Sequence, residues 1–393
     1  MRFAPTEDQI EFAAAVASLL ADTCTPAEVA ASWGGEVGRH TGLGDGDGRV
    51  RGAWDALVEM GVLGLTVPED RGGLGMDLGD LVPILTECGR AGLPDPVGDT
   101  VGVAAPLLGS CLEGEGSDLA AEWLGRISSG ATVVTGFGEE PLVASATTAD
   151  AVLLLGVDPV RSVGGGDPVP PERQWVRLLP SGQFGADAVD PVDSVDGSRA
   201  LARAGAGAQG ATELLGGAEA VAACGAAFER AAVVDAAVML GLCDTMLSMT
   251  VEYVSERRQF GVPVGSFQAV KHHLADAGSA VAFAQPLVAQ AAHLLAGGTS
   301  AIAGELDPPR TTQVAVSMAK ARASQAAQLV SETALQCHGA IGYTVEADLQ
   351  LFMKRVGVVA LTRRRRLAPP ACPGPPAGRV ASRSCRSRVP GSC

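Results

Sequence analysis

The feature that most constrains this chain of 393 residues is its last third, where an Ala-rich helical pattern runs from about Glu213 to Arg355 with a break at LDPPR, Leu306 to Arg310. Inside it a long apolar helix leads into RRQFGVPVGSFQAVKHHLAD, Arg257 to Asp276, which sets an arginine, a Phe-Gly break and a glutamine at fixed offsets. Apolar residues that recur at helical spacing are buried against neighbouring elements. This part of the chain is therefore packed helices, interrupted by a short turn at Phe260 and Gly261.

The opening is helical as well. Thr6 and Gln9 form a capping box ahead of Ile10, Phe12, Ala13, Val16, Leu19 and Leu20. A Gly/Asp-rich loop from Gly34 to Gly48 precedes a second helix, Trp54 to Met60, and helices resume at Leu81 to Glu87 and Thr100 to Leu108. Between about Ala131 and Gly210 the pattern changes to short β-prone runs, TVVTGF, AVLLLGV and QWVRLL, separated by Gly/Pro-rich turns. The expected fold class is mostly α with a small central β domain. Its parts are a helical domain over 1–115, a middle β domain over 116–212, a helical bundle over 213–356 and a basic Pro/Arg-rich tail over 357–393. Gly73-x-Gly75-x-x-x-Gly79 has neither the spacing nor the leading strand of a dinucleotide fingerprint.

Composition excludes several classes of function. The nine cysteines are scattered without a C-x-x-C, and the five histidines form no H-E-x-x-H, so no metal is expected. A net charge of -15 speaks against nucleic acid as a partner for the body of the chain. The apolar runs are broken by Gly, Pro or charge, and no basic region followed by an apolar stretch opens the chain. No membrane span is expected, and a cytoplasmic location is the default. Residues 361–393 hold eight arginines, six prolines and no acid, a composition that reads as disordered sequence without a partner, with a basic arm for an anionic surface as the alternative.

The segment from Arg257 resembles the signature of the acyl-CoA dehydrogenase family. A second match, QCHGAIGYTVEADLQLFMKR from Gln336 to Arg355, lies at the distance and in the order that family shows. The resemblance implies an N-terminal helical domain, a β-barrel-like middle domain and a C-terminal four-helix bundle, with FAD as cofactor. It gives Arg257 the role of reaching the flavin diphosphate across a subunit interface, with Arg258 and Gln259 beside it. Phe260 would pack on the cofactor, Gly261 would let the chain turn, and Phe267 and Gln268 would lie near the adenosine half. Gln336, Cys337, His338, Gly339 and Ala340 occupy the family's Q-x-x-G-G segment, here with Ala340 for the second glycine. The family's flavin loop, T-E-x-x-x-G-S-D, and its W-x-x-T stretch have no counterpart; GFGEEPLVAS, Gly136 to Ser145, stands in the expected place. After the second motif the family continues with another helix. Here the helical pattern stops near Arg355 and turns to Arg, Pro, Cys and Ser, as a shifted reading frame would do.

Acyl-CoA dehydrogenases use a glutamate to take the proton next to the thioester carbonyl. The resemblance places that base at one of two positions, which here are Ala231 and Arg363. Asp235 is the nearest carboxylate on helical geometry, in one stripe with Val238, Met239, Leu242, Met246, Met249 and Tyr253. In such a stripe it needs either a shifted proton affinity or a bonded neighbour. It stands as the candidate catalytic residue, with a structural aspartate as the equal alternative.

The expected activity is FAD-dependent α,β-dehydrogenation of an acyl-CoA thioester to the 2,3-enoyl-CoA. Electron-transfer flavoprotein or a similar acceptor would take the electrons, and a homo- or hetero-oligomer, a dimer of dimers, would hold the sites. The alternative is a non-catalytic or half-site subunit of a heteromeric acyl-CoA dehydrogenase, as in shortened bacterial members of steroid side-chain degradation. A flavin-dependent oxidase or monooxygenase on the same fold is the third reading.

Overall fold

The computed structural model describes residues 5–138, 141–156, 174–183, 189–204, 210–298 and 308–362. The basic segment 363–393, and with it Arg363, lies outside the described residues. The N-terminal part holds α1 (Glu7–Thr23), α2 (Pro26–Ala31), α3 (Gly35–Thr41), α4 (Arg51–Glu59), α5 (Leu78–Arg90), α6 (Val97–Gly109) and α7 (Ser117–Ser128). The capping box at α1 is made in both directions, Thr6 N–H to Gln9 Oε1 at 2.8 Å and Gln9 N–H to Thr6 Oγ1 at 3.2 Å.

Among the described residues seven strands follow: β1 (Val133–Phe137), β2 (Leu142–Ala144), β3 (Ala151–Leu155), β4 (Trp175–Pro180), β5 (Val189–Val192), β6 (Leu201–Ala204) and β7 (Thr212–Gly216). They form a four-stranded sheet, β1-β3-β4-β7, and a three-stranded sheet, β2-β6-β5. Successive strand residues point to opposite faces. Leu153 and Leu155 accordingly join the core shared with the helices, while Val152 and Leu154 join a small core between the sheets with Val143 and Ala202. Burial on both faces accounts for the unbroken apolar run of β3.

The sequence boundary at 116 falls before α7, whose Ala120, Trp123, Leu124 and Ile127 are buried in the helical core. The strands start at Val133 instead, and β7 ends at Gly216, beyond 212.

The bundle is α8 (Gly217–Glu256), α9 (Gln268–Leu295), α10 (Pro308–His338) and α11 (Leu349–Leu361). α8 has the length and hydropathy of a membrane span, but it is the central helix of this fold and most of its apolar side chains are buried by α5, α9, α10 and α11. It crosses α5 at backbone contact. A Cβ on Gly241 would sit 1.9 Å from the Thr86 carbonyl oxygen, so only glycine fits there. α11 runs to Leu361, with Val356 and Val359 buried, so the helix does not stop near Arg355 and the tail does not begin at 357. The VGVVAL run carries the apolar face onward.

Candidate functional site

The two motif segments meet at one end of the bundle. Tyr253, one turn before Arg257, stacks on His338 with ring centroids 4.5 Å apart and an interplanar angle of 14°. Arg257 caps α8: its N–H donates to the Tyr253 carbonyl at 2.9 Å, and its carbonyl accepts from Val264 N–H at 2.7 Å. The chain then makes a miniature hairpin of β8 (Arg258–Gln259) and β9 (Val262–Pro263), closed by Phe260 and Gly261. Both loop residues have positive φ, 53° for Phe260 and 82° for Gly261, as a type I′ turn requires. A phenylalanine in that region is strained. Yet Phe260 is 93% exposed and meets only the edge of Phe267, at 6.3 Å between centroids. With Val262 and Phe267, which are also exposed, it makes a local apolar group on the hairpin surface.

Around this hairpin Arg257, Arg258, Gln259, Phe267 and Gln268 are all exposed, and Gln268 Nε2 lies 3.0 Å from His272 Nε2. From the other motif, Gln336 and Ala340 are exposed and Cys337 is half-buried. Gly339 takes φ +66° to open the turn Gly339–Tyr343, while Ala340 keeps an ordinary backbone, so its extra methyl is accommodated. His338 is placed differently from its neighbours. It is buried, with Nδ1 2.8 Å from the Ala334 carbonyl, and its ring packs inside the bundle instead of facing out.

Asp235 is far from lone. It is buried on α8 and pairs with Lys320 of α10 at 3.3 Å; Thr362, just past α11, donates its hydroxyl to the same oxygen at 3.0 Å. Lys320 also donates to the Val359 carbonyl at 2.7 Å. The carboxylate is thus engaged by an ammonium and a hydroxyl inside the bundle, which counts against the base assignment. Ala231 is fully buried on the same helix. Lys320 escaped the sequence reading, although its spacing from Val316, Ala319, Ala323 and Ala327 sets it on the buried stripe of α10.

Asp235 also lines a small cavity, about 80 Å³, where the helical domain, the sheets and the bundle meet. Ser145, at the end of β2, contributes to its wall with φ 60°, the second positive-φ residue other than glycine among the described residues. At roughly 30 Å³ per water molecule this space holds two or three waters and no long acyl chain.

Comparison with known proteins fixes the family. Residues 6–131 match the model of the acyl-CoA dehydrogenase N-terminal domain, and residues 216–362 match that of the acyl-CoA dehydrogenase C-terminal domain. The acyl-CoA dehydrogenase IpdE2 of Mycolicibacterium smegmatis is 30% identical over 341 residues, 86% of this chain and 89% of that protein. The chain belongs to the acyl-CoA dehydrogenase family. IpdE2 of Mycobacterium tuberculosis is 29% identical over 352 residues, covering 89% of this chain and 91% of its own length. Among solved structures, the ChsE4-ChsE5 complex of Mycobacterium tuberculosis superposes with a TM-score of 0.72 at 22% identity, over 93% of this chain and 98% of that one. The chain is thus an acyl-CoA oxidoreductase of a shortened bacterial kind, with the helix, sheet and bundle order of that fold.

FAD is the cofactor expected in this family, and the bundle end fits part of it. Arg257 and Arg258 offer guanidinium donors suited to a diphosphate, Gln336 offers an amide, and Phe260 and Phe267 offer ring faces. The sheet domain is not furnished in the same way: Gly136 to Ser145 lacks the T-E-x-x-x-G-S-D pattern of the family loop, Ser145 is the one hydroxyl residue in its described part, and Glu139 and Glu140 lie outside the described residues.

Proposed function

We propose that this chain takes part in FAD-dependent α,β-dehydrogenation of an acyl-CoA thioester to the 2,3-enoyl-CoA, within an oligomer whose neighbouring subunit carries the flavin that the bundle end holds. The carrying observation is the outward Phe260 on its strained hairpin beside the exposed Arg257 and Gln336 segments. Bound FAD supplies the acceptor for the hydride that leaves the β-carbon. Arg257 neutralises diphosphate charge, Gln336 and the Gly339 turn offer polar contacts, and Phe260 with Phe267 shields the site from water. The electrons would pass on to an electron-transfer flavoprotein or a similar acceptor.

A second reading gains support from the Asp235–Lys320 pair. With Ala231 at one family position and the sole buried carboxylate of that stripe held by an ammonium, the base would come from another subunit, and this chain would be the flavin-sharing half of a heteromeric enzyme. The test is expression with and without the products of adjacent genes, followed by the flavin absorbance of what purifies. Flavin retained by the chain alone at full occupancy, with turnover, would defeat the shared-site reading.

A further inference from the structure

The cavity at the domain junction has three walls, and one side chain on the bundle wall bonds to both of the others. Leu93 and Asp95 come from the helical domain, Ser145 and Arg199 from the sheet domain, and Asp235 and Arg355 from the bundle. Arg355 is buried, and each guanidinium nitrogen serves a different acceptor. Nη1 donates to the Leu93 carbonyl at 3.0 Å, Nε to Asp196 at 2.5 Å and Nη2 to the Ser198 hydroxyl at 2.5 Å. Asp196 and Ser198 are themselves buried, and Asp196 accepts from both the N–H and the hydroxyl of Ser198. This bonded loop leads straight into Arg199 of the cavity wall. On the other side, Leu93 opens the turn to Asp95, which is fixed by a buried ion pair with Arg49. The neighbouring Lys354 lies over the Trp33 ring at 4.7 Å, a second tie from α11 to the helical domain.

We propose that Arg355 is the positioning residue of this junction: its guanidinium sets the spacing of the three walls and so the width of the cavity between them. This wall-setting role stands independently of the function proposed above. A planar fork of donors can meet three acceptors in fixed directions, whereas a lysine ammonium at the end of a flexible stem cannot hold all three. Arg355→Lys keeps the charge that Asp196 needs and loses the geometry. The walls would then part locally while the helices stay folded.

Cys88 lines the cavity and reports on its opening, while Cys111 and Cys243 are buried thiols outside its wall. The experiment labels the full-length native chain with N-ethylmaleimide and reads each thiol by peptide mass spectrometry. Arg355→Lys is expected to raise Cys88 labelling by about tenfold or more, with Cys111 and Cys243 unchanged, as local opening does. Should Arg355→Lys fail to fold, Ser198→Ala removes a single arm and is expected to raise Cys88 labelling by about threefold, again alone. Unchanged Cys88, or all three thiols rising together as in general destabilisation, overturns the proposal. Flavin retention plays no part in this readout, so a failure here and a failure of the proposed function are distinguishable.

Discussion

Asp235 and Lys320 form a buried ion pair, 3.3 Å between Oδ2 and Nζ, that links α8 to α10 and, through Thr362 and the Val359 carbonyl, to the end of α11. The side chains are 8% and 6% exposed. The pair therefore acts as a fastening inside the bundle.

Breaking it from one side leaves a charge buried without its counterpart. Asp235→Asn should cost about 3–5 kcal/mol of stability, and the double change Asp235→Asn with Lys320→Met should recover most of that loss. Urea unfolding of the three chains measures it. A single variant within 1 kcal/mol of wild type, on the order of ordinary surface changes, would show that the pair is not a fastening.

Ending the chain after Gly357 removes Val359 from the core and takes away one acceptor of Lys320 and the hydroxyl that reaches Asp235. A loss of about 2–5 kcal/mol is expected, from the missing apolar burial and the orphaned ammonium together. A chain ending at Thr362 keeps these contacts and serves as the control in thermal melting. Equal melting temperatures for the two would contradict the role given to α11.

What could be read from the sequence was whatever is periodic or local. Helices α1, α5 and α8 and strands β1, β3 and β4 declare themselves through spacing, and the Phe260-Gly261 break marks a turn. The site divides in the same way. Arg257 and Gln336 stand in recognisable motifs, and the structure brings their segments together through Tyr253 and His338. Contacts between distant segments stayed hidden: Asp235 finds Lys320 85 residues away, and Arg355 finds Leu93 262 residues away. His338 belongs to the same motif, and the inward turn of its ring to stack on Tyr253 is a contact between distant segments that the motif does not announce.

The α5–α8 crossing depends on Gly241. Its missing side chain lets the Thr86 carbonyl and the Arg90 nitrogen approach to within 1.9 and 2.7 Å of where a Cβ would be. Gly241→Ala must push the helices apart, at a cost of about 1–3 kcal/mol or more. Circular dichroism melting of that variant tests it, and a gain in stability from the better helix former would refute the close crossing.

Alkaline pH should destabilise the protein. Burial, helped by the Asp95 and Glu28 charges, pushes the Cys24 thiol up to about 12, and burial takes Cys111 to about 11, from an ordinary value of 9.0. Both thiols then keep their protons in the folded state while the unfolded chain releases them near pH 9. Stability is full below that point and falls as pH rises towards 11 and 12. Urea midpoints between pH 8 and pH 10.5 should drop, and Cys24→Ala should shallow the slope. A flat profile would contradict the burial of these groups.

In the proposed function the bundle end of this chain holds a flavin, with Arg257 as its diphosphate anchor. The most direct measurement is the flavin-to-protein absorbance ratio of the full assembly, purified with its natural partner or as a homo-oligomer, for wild type and Arg257→Ala after dialysis. Loss of a charge-assisted contact worth about 2 kcal/mol weakens retention by about thirtyfold, so the variant should emerge largely colourless. An Arg257→Ala assembly that keeps its flavin as wild type does would contradict the account.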